Sequence, residues 1–439
     1  MNIVYIHCHD LGRYIEPYGY AIPAPNITRF ASQGVVFRNA FCSAPSCAPS
    51  RAALVTGRHP HSCGMLGLPA PHLGYRLDDY GQHIGAFLKT HGYETALAGV
   101  QHVARAPFAP PEECLPYDRF LNHAPAHGQI HNAAQTGAAA IHYLLEEHDK
   151  PFFLSVGFVD PHRNNRGNRA TFVDTYSWDE PADIEKQARF CRPMPHMPDS
   201  PVARREMANF KIGVELLDQE VGQILRVLEQ PRYRDEALVI FTTDHGPGVA
   251  EMKCTLTDRG TGVALMMRGP RGFAGGRLVD GMVQHMDLYP TICELLGVDR
   301  PAWLQGESFM PLVRGEAEQV HTAIFTEQTY HYGATPRPFR AVRTPRHKYI
   351  RCYDTNAPRG VDRGPTQAYW EGFGYLDRRH PKEELYDLVF DPNEANNLAD
   401  RPGHEETLAE MRARLEAWQK ATDDPLRDGV VPEPPAKKG

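Results

Sequence analysis

Short apolar runs rich in β-branched and aromatic residues alternate with amphipathic stretches over the first three hundred residues of this 439-residue chain. The predicted strands are residues 3–6, 35–41, 95–99, 152–158, 238–242 and 263–267; most are continuously apolar, as buried strands are. The predicted helices are residues 50–56, 80–91, 135–148, 201–228 and 286–296. Strands that alternate with helices form a sheet covered by helices rather than a sandwich. The pattern therefore predicts an α/β fold.

A loop-rich connector with Pro301, Pro311 and several glycines separates this region from the rest of the chain. We place a domain boundary after Gly315, which gives a large α/β domain over residues 1–315 and a small α+β domain over residues 316–439. The strands predicted in the second domain are residues 322–327, 339–343, 349–353 and 384–388, followed by a helix over residues 404–422. This part of the chain is expected to form a small antiparallel sheet with one helix.

Composition restricts the partners and the compartment. The formal net charge is −7, so no global basic field attracts nucleic acid. No apolar stretch approaches the ~20 residues that a membrane span needs. Met1 directly precedes the first strand, so the expected compartment is the cytoplasm, or the periplasm or exterior if a leader was removed. Nine irregularly spaced cysteines without a CxxC pair argue against a disulfide framework.

Polar residues follow four of the predicted strands. They are His9 and Asp10, His102, the segment Asp160-Pro161-His162-Arg163, and Asp244 with His245. Each of these alone is commonly a simple turn. Because ligands bind outside the carboxyl ends of the strands in an open α/β sheet, we expect the four groups to converge on one site. Carboxylates brought together repel each other unless a cation relieves them, so the pattern predicts a divalent-metal site.

Cys47 lies at the entrance of a predicted helix, four residues before Arg51. The positive end of the helix and the guanidinium of Arg51 are expected to favour the thiolate and to attract an anionic substrate. A buried structural cysteine is the alternative interpretation. These residues alone do not decide between the two.

The segment Cys47-Ala48-Pro49-Ser50-Arg51 matches the C/S-x-P-x-R signature, and on it the chain resembles the type I, formylglycine-dependent sulfatases of the alkaline phosphatase superfamily. Residues 25–30, 34–40, 151–158, 238–246 and 384–387 resemble the corresponding family segments in the same order. Residues 63–68, 158–163 and 195–204 are most similar to the heparan N-sulfatase (sulfamidase) branch. The resemblance implies a large mixed sheet flanked by helices, alkaline phosphatase-like, with a smaller C-terminal antiparallel sheet plus helix.

The resemblance also implies two cofactors. Cys47 would be oxidised to formylglycine (3-oxoalanine) by a formylglycine-generating enzyme, and its hydrated aldehyde would be the nucleophile toward sulfur. One divalent metal ion would be held by His9, Asp10, Asp244, His245 and the modified residue 47. The family usually has aspartate at position 9 and asparagine at position 245. Calcium prefers oxygen ligands, whereas imidazole suits manganese, iron or zinc; calcium is the family default, and manganese is the alternative.

The remaining catalytic roles are carried over in the same way. Arg51 would steady the hydrate and the sulfate charge, and His102 would take a proton when sulfate is released. His162 and Lys253 would bind sulfate oxygens and protonate the leaving group. In the C-terminal part, the resemblance implies substrate contacts from Glu327, His331, Arg337 and Arg340.

Two further basic segments have less specific interpretations. The arginine-rich residues 163–169 are interpreted as a solvated loop, although they could contact a polyanionic sugar. Arg58, His59 and His61 are interpreted either as the rim of the pocket or as surface.

The predicted function is hydrolysis of a sulfate ester or sulfamate of a sulfated carbohydrate, with N-sulfoglucosamine as one candidate. The first alternative is a phosphate or phosphonate monoester hydrolase of the same superfamily, to which the pair Asp244-His245 gives weight. The second is a non-catalytic anion-binding protein, if Cys47 is never modified. The sequence leaves the sugar, the metal and homo-oligomerisation open.

Overall fold

The computed structural model describes residues 1–122, 133–163, 182–360 and 364–437. Within them, eight strands form one sheet in the order β5-β4-β6-β1-β7-β8-β2-β9. Its strands are β1 (Asn2–Cys8), β2 (Val35–Phe37), β4 (Glu94–Gly99), β5 (Arg119–Phe120), β6 (Phe152–Gly157), β7 (Ala237–Thr243), β8 (Leu265–Arg268) and β9 (Arg277–Val279). Two further short strands, β3 (Ala40–Phe41) and β10 (Val283–Gln284), pair with each other.

The centre of the large sheet is parallel. Strand β1 lies between β6 and β7 and is parallel to both, and β4 is parallel to β6. Strand β8 is antiparallel to β7, which makes the sheet mixed. Because four neighbouring strands run in one direction, their carboxyl ends meet at one edge of the sheet.

Helices cover both faces of this sheet, and further helices lie in the C-terminal part of the chain. The helices are α1 (Pro25–Gln33), α2 (Cys47–Thr56), α3 (Ile84–Thr90), α4 (Pro111–Cys114), α5 (Ala133–Leu145), α6 (Ile184–Ala188), α7 (Pro201–Val227), α8 (Pro231–Arg234), α9 (Asp258–Thr261), α10 (Leu288–Leu296), α11 (Met310–Arg314), α12 (Pro365–Glu371) and α13 (Glu405–Ala421). Alternate side chains of β1 enter different cores. Ile3 packs with residues of α2, α3 and α10, whereas Val4 packs with residues of α1, α5 and α7.

The C-terminal part contains a second, antiparallel sheet of four strands in the order β11-β12-β13-β14. They are β11 (Ile324–Gln328), β12 (Phe339–Arg343), β13 (His347–Cys352) and β14 (Glu383–Asp387). Helix α13 packs its apolar side, including Leu415 and Trp418, against Val342, Tyr349 and Leu385 of this sheet. The predicted fold class is confirmed, and the boundary at residue 315 stays a prediction.

Two sequence-based expectations change in detail. The run 35–41 is not one strand, because a turn at residues 38–39 divides it into β2 and β3, which pair in different sheets. The predicted helix 80–91 is a 3-10 turn, Tyr80–Gln82, followed by α3. Among the described helices, none is long and apolar enough to cross a membrane. None of the nine cysteines forms a disulfide bond.

The interpretation of residues 163–169 as a solvated loop is wrong for its first residue. Arg163 is fully buried, where its guanidinium pairs with Glu206 and donates to the Gly248 carbonyl. Neighbours distant in the sequence supply those partners, which charge patterning could not show. Residues 164–169 lie outside the described residues.

Candidate active site

The carboxyl ends of β1 and β7 place two pairs of polar residues side by side. His9 and Asp10 follow β1, and Asp244 and His245 follow β7. The backbone N–H of Asp10 donates to Asp244 Oδ1 at 2.9 Å, and His9 Nδ1 lies 3.0 Å from Asp244 Oδ2. The exposed fractions of these four residues are 3% or less. The two parallel strands thus bring both carboxylates into one buried site.

Four residues with possible metal-ligand atoms lie close together. One ligand atom each from Asp10, Cys47, Asp244 and His245 lies within 4.8 Å of the others, and His9, Asp10, Cys47 and His162 form an overlapping group. Asp10 Oδ1 is buried and accepts no hydrogen bond from any described residue. A buried carboxylate oxygen without a donor is costly unless a cation binds it. The donor set fits a divalent ion.

His245 has the tautomer that a metal ligand needs. Its Nδ1 lies 2.8 Å from the Gly246 carbonyl oxygen, which can only accept, so Nδ1 carries the proton. The other ring nitrogen, Nε2, faces Cys47 Sγ at 3.3 Å, Asp10 Oδ1 at 3.5 Å and Asp244 Oδ1 at 3.7 Å. Burial opposes ionisation of Asp244, but His245, His9 and Arg51 outweigh it and hold the pKa of this carboxyl well below its usual range. Asp244 is therefore a carboxylate at neutral pH.

Cys47 begins helix α2, with Ser46 as the residue before it. The expectation of a favoured thiolate at this position is wrong. Burial raises the pKa of the Cys47 thiol well above its usual value. The cations Lys253 and Arg51 act in the opposite direction but do not offset the burial, to which the carboxylates of Asp244 and Asp10 add a further increase. The unmodified residue is therefore a neutral thiol.

Arg51 extends from one turn further along α2 into the same site. Its Nη2 donates to Asp244 Oδ2 at 3.2 Å and to the Cys8 carbonyl at 3.0 Å. Its Nη1 donates to Nδ1 of His7, a buried residue of β1. Sequence reasoning missed His7; the available signal was a histidine inside an otherwise apolar strand. Burial, and then Arg51, lower the pKa of His7 well below its usual value, so the imidazole is neutral and can accept.

Lys253 and His162 lie on the other side of Asp10. Lys253 Nζ donates to Asp10 Oδ2 at 3.0 Å and lies 3.3 Å from His162 Nε2. His162 Nδ1 donates to the Arg163 carbonyl at 2.7 Å, so Nε2 is the ring nitrogen that faces the site. An ammonium and an imidazole thus adjoin one buried carboxylate.

His102 approaches from the end of β4. Its ring lies edge-on to that of His9, with 5.1 Å between ring centroids. Burial, and then Arg51 and His162, lower the pKa of His102 to about 3. His102 is therefore neutral at neutral pH, the form that can take up a proton.

The two predicted substrate-binding residues lie on the segment between β11 and β12. His331 Nδ1 lies 2.9 Å from Oγ of Ser46, the residue before Cys47. Arg337 is 8% exposed, and its Nη1 approaches the carbonyl of Cys254, the residue after Lys253, at 3.5 Å. The structure thus brings both side chains beside segments that carry site residues.

Other basic and acidic residues with predicted rim or substrate roles lie in a buried network instead. Glu327 accepts from His61, and Arg340 donates to Asp424 at 2.8 Å through two nitrogens. His59 accepts a hydrogen bond of 3.0 Å from Trp418 Nε1. These side chains join the C-terminal part to the large domain.

Taken together, the site combines a buried set of oxygen and nitrogen donors with Arg51 and Lys253 as cations and two imidazoles able to exchange protons. Such an arrangement neutralises a tetrahedral anion and supplies protons where bonds to it form or break. This is the requirement for hydrolysis of sulfate or phosphate esters.

Comparison with known proteins agrees with this chemistry. The sequence pattern of the family described as "Sulfatase" matches residues 1–298, and that of "N-sulphoglucosamine sulphohydrolase, C-terminal" matches residues 253–359. The chain is 29% identical to the N-sulphoglucosamine sulphohydrolase of Homo sapiens, over 94% of this chain and 89% of that protein. It is 27% identical to the Delta 4,5-hexuronate-2-O-sulfatase of Bacteroides thetaiotaomicron, over 99% of this chain and 92% of that protein.

Solved structures share the fold. A 2-O GAG sulfatase matches with a TM-score of 0.74 and 24% identity, over 99% of this chain and 95% of that chain. A protein solved with its substrate D-glucosamine-2-N,6-O-disulfate matches with a TM-score of 0.73 and 19% identity, over 97% and 99% of the two chains. Since the family pattern covers more than half of its length, this chain belongs to the sulfatase family.

Proposed function

We propose that this sulfatase releases sulfate from a sulfated carbohydrate, with residue 47 matured to formylglycine and one divalent metal ion beside it. The observation that carries the proposal is the position of Cys47 Sγ, 3.3 Å from His245 Nε2 and within the group of donors that includes Asp10 and Asp244. An oxygen nucleophile formed at residue 47 would therefore lie among the residues that would hold the metal ion.

The metal ion would be held by Asp10, Asp244, His245 and the modified residue 47, with His9 as a further donor. When bound, the ion supplies positive charge for the sulfate oxygens, and formylglycine supplies an oxygen nucleophile. Two imidazoles among the donors favour manganese over the calcium expected from the family. Lys253 donates a hydrogen bond to Asp10, and His245 Nδ1 donates one to the Gly246 carbonyl. These hydrogen bonds orient the two side chains for metal binding.

The other residues act through charge and proton transfer. The Arg51 guanidinium pairs with Asp244, and the Lys253 ammonium pairs with Asp10. Both groups add positive charge to the site and attract the sulfate group of the substrate. His162 Nε2 faces the site, and the imidazolium form of this residue donates its Nε2 proton to the leaving atom of the substrate. His102 is neutral and takes up a proton as sulfate leaves.

The substrate class is supported by the C-terminal part of the chain. Residues 253–359 match the pattern of an N-sulphoglucosamine sulphohydrolase and include Lys253, His331 and Arg337. A sulfated glucosamine, with an N-sulfate as the first candidate, is therefore the proposed substrate.

Maturation of Cys47 tests the proposal. Coexpression with a formylglycine-generating enzyme should convert the thiol of residue 47 to an aldehyde, visible as a mass change of the peptide that contains it. The matured enzyme should hydrolyse N-sulfoglucosamine, and Cys47→Ala should be inactive. Full activity of unmodified thiol enzyme would refute the mechanism. An enzyme that is never modified and never active would instead be an anion-binding protein.

Metal content gives an independent readout. Purified protein should contain one divalent ion per chain, and Asp244→Ala should lose it because the carboxylate is a ligand. Elemental analysis measures this without an activity assay. Absence of a stoichiometric ion from active enzyme would contradict the site assignment.

Phosphate or phosphonate monoester hydrolysis is the second candidate, favoured by the imidazole of His245 in the donor set. Aryl sulfate, phosphate and phosphonate esters of the same phenol should be compared on matured enzyme. A higher kcat/KM for a phosphorus ester would make this candidate the principal activity.

A further inference from the structure

Arg163 directly follows His162, and its side chain is anchored at several points inside the protein. The side chain is fully buried. Its Nε and Nη2 both donate to the Gly248 carbonyl, at 3.0 and 2.6 Å, and Nη2 also pairs with Glu206 of α7. The guanidinium makes these bonds together because its donors form a rigid, planar fork. Arg163 is therefore fixed between α7 and the loop that contains Gly248.

The backbone of Arg163 in turn orients the imidazole of His162. The Arg163 carbonyl oxygen lies 2.7 Å from His162 Nδ1, and a carbonyl can only accept a hydrogen bond, so Nδ1 donates to it. The other ring nitrogen, Nε2, lies 3.3 Å from Lys253 Nζ. A shift of the Arg163 backbone would remove the acceptor that holds the ring. The direction of His162 Nε2 therefore depends on the anchoring of the next residue.

Gly248 lies on the loop that ends at Lys253. The Lys253 N–H donates to the carbonyl of Pro247 at 3.1 Å, so the two ends of this loop are held together. The Arg163 side chain bonds to the same loop at Gly248. The segment of His162 and the loop of Lys253 are thus connected at a second point, apart from the contact between the two side chains themselves.

Helix α12 of the C-terminal part also helps to hold Arg163. Glu206 Oε1 pairs with Arg163, while its Oε2 accepts from the N–H of Thr366 in α12 at 3.0 Å. Gly364 immediately precedes this helix, and a β-carbon there would lie 2.5 Å from Cζ and from both Nη atoms of Arg163. No side chain tolerates so short a contact, so the backbone can approach the guanidinium only at a glycine.

We propose that Arg163 is a positioning residue, which holds the imidazole of His162 against Lys253 on the side of the site where the leaving group departs. The residues that hold Arg163, here called the Arg163 clamp, are Glu206, Gly248 and Gly364. The inference rests on the proposed function, in which His162 protonates the leaving group. A misplacement of a reacting group by about 1 Å can lower a rate on the order of a hundredfold. Loss of the clamp should therefore matter most for substrates that need the proton.

Gly364→Ala tests the clamp without removing a charge, because the added β-carbon must displace the Arg163 guanidinium. Matured enzyme is assayed with phenyl sulfate, whose basic leaving group needs a proton, and with 4-nitrophenyl sulfate, whose leaving group departs as an anion. The value of kcat/KM should fall about tenfold for phenyl sulfate and less than about twofold for 4-nitrophenyl sulfate. Arg163→Lys keeps the charge but not the fork of donors, and should show the same difference between the esters.

Glu185→Gln is the matched control. It removes an exposed carboxylate that pairs with Arg205 of α7, the residue before Glu206, and should change neither rate. Elemental analysis should find the metal content of the wild type in every variant. Circular dichroism checks folding, and if Gly364→Ala does not fold, Arg163→Lys decides.

The ring nitrogens of His162 give a second readout that needs no turnover. In protein labelled with nitrogen-15 at histidine, the His162 signals are those that disappear in His162→Gln. When the imidazole is neutral, these signals should show a single tautomer with the proton on Nδ1. Gly364→Ala and Arg163→Lys should instead give a mixture of tautomers, because the Arg163 carbonyl no longer holds the ring.

The clamp is refuted if folded Gly364→Ala and Arg163→Lys lose rate equally for both esters, keep the wild-type rate for phenyl sulfate, or keep the wild-type tautomer of His162. Failure of the proposed function gives a different result. Matured wild-type enzyme that hydrolyses neither ester would contradict the proposed function, whereas a tautomer mixture confined to the two variants would still support the clamp.

Discussion

At the scale of single residues, Asp10 shows how the site departs from what folding alone favours. Its side chain is fully buried; Oδ2 accepts from Lys253 at 3.0 Å, but Oδ1 has no donor among the described residues. A buried polar atom left unpaired costs about 1–3 kcal/mol. Asp10 Oδ1 also lies 3.5 Å from Nε2 of His245. A buried carboxylate oxygen that has no donor and adjoins an imidazole nitrogen indicates a site prepared for a cation.

His7 is a testable positioning residue. It accepts a hydrogen bond from Arg51 and does not face the donor group of Asp10 and Asp244 in any contact among the described residues. His7→Leu removes the acceptor and should lower kcat about tenfold, the effect typical of residues that orient a site. His7→Asn keeps an acceptor near the position of Nδ1 and should restore most of the activity. Equal losses in both variants would contradict a positioning role.

His162 should show its role in the dependence on leaving group. His162→Ala should reduce kcat/KM about a hundredfold for a sugar sulfate, because the leaving oxygen or nitrogen needs a proton. The reduction should be much smaller for nitrophenyl sulfate, whose leaving group departs as an anion. Steady-state kinetics with both substrates measures the difference, and exposed His142→Ala is the control. A uniform loss across leaving groups would contradict proton donation by His162.

At the scale of elements, helix α2 connects Cys47, the position of the proposed nucleophile, to the core. It begins at Cys47, and all ten of its residues are buried. It ends at Thr56 and is followed by Gly57. The φ of Gly57, 66°, is left-handed, and its N–H donates to the Ala53 carbonyl. A β-carbon at Gly57 would lie 2.4 Å from Leu304 Cδ2. The C-terminal end of α2, the helix that begins at Cys47, is thus fixed by both backbone conformation and packing.

Gly57→Ala should therefore destabilise the protein by about 2 kcal/mol, from left-handed strain plus the collision with Leu304. Gly315→Ala is the matched control, since Gly315 ends α11 with a φ of 72° and has no atom within 4 Å of its β-carbon position. It should cost only the strain, about 1 kcal/mol. Urea unfolding measures both. Equal free energies of unfolding for the two variants would show that Leu304 moves aside freely.

At the scale of the whole molecule, buried ion pairs and hydrogen bonds attach the C-terminal helix to the C-terminal sheet and to the segment that follows α2. Arg340 of β12 donates to Asp424 after α13, and Trp418 of α13 donates to His59 of the large domain. The chain then returns to the large domain, where the Ala436 N–H donates to the Leu73 carbonyl at 3.0 Å. The C-terminal part and the domain that carries the site are therefore held together by polar as well as apolar contacts.

Asp424→Asn should lower the free energy of unfolding by about 2 kcal/mol at neutral pH, because buried Arg340 would keep only Glu327, at 3.5 Å, as a partner charge. Burial raises the pKa of Asp424, but Arg340 outweighs it and holds that pKa below its usual value. The stabilisation is thus present above the unfolded pKa of about 4 and is lost as the pH falls toward the lower folded pKa.

Thermal unfolding between pH 7 and pH 3 tests this linkage. Wild-type protein should lose stability below about pH 5, and Asp424→Asn should show a shallower loss because one depressed carboxylate is gone. Asp423→Asn changes the adjacent carboxylate, whose side chain is 91% exposed, and should leave the pH dependence unchanged. Parallel curves for wild type and Asp424→Asn would contradict the assignment.

The strands, the main helices and the polar residues at their ends could be predicted from the amino-acid sequence alone. Periodicity and strand-end polarity are local properties, so β1, β4, β6 and β7 and their polar ends could be predicted. The signature around Cys47 was equally local. These features were sufficient for the α/β fold and for the expectation that His9, Asp10, Asp244 and His245 lie together.

The environment of each side chain, by contrast, depends on the tertiary structure. Asp10 and Asp244 are 234 residues apart, yet one donates its N–H to the other. Burial of Arg163 against Glu206, the neutral thiol of Cys47 and the contact of His7 with Arg51 depend in the same way on distant neighbours. Desolvation and charge at a residue are set by the groups packed around it, and no local pattern in the chain records which groups those are.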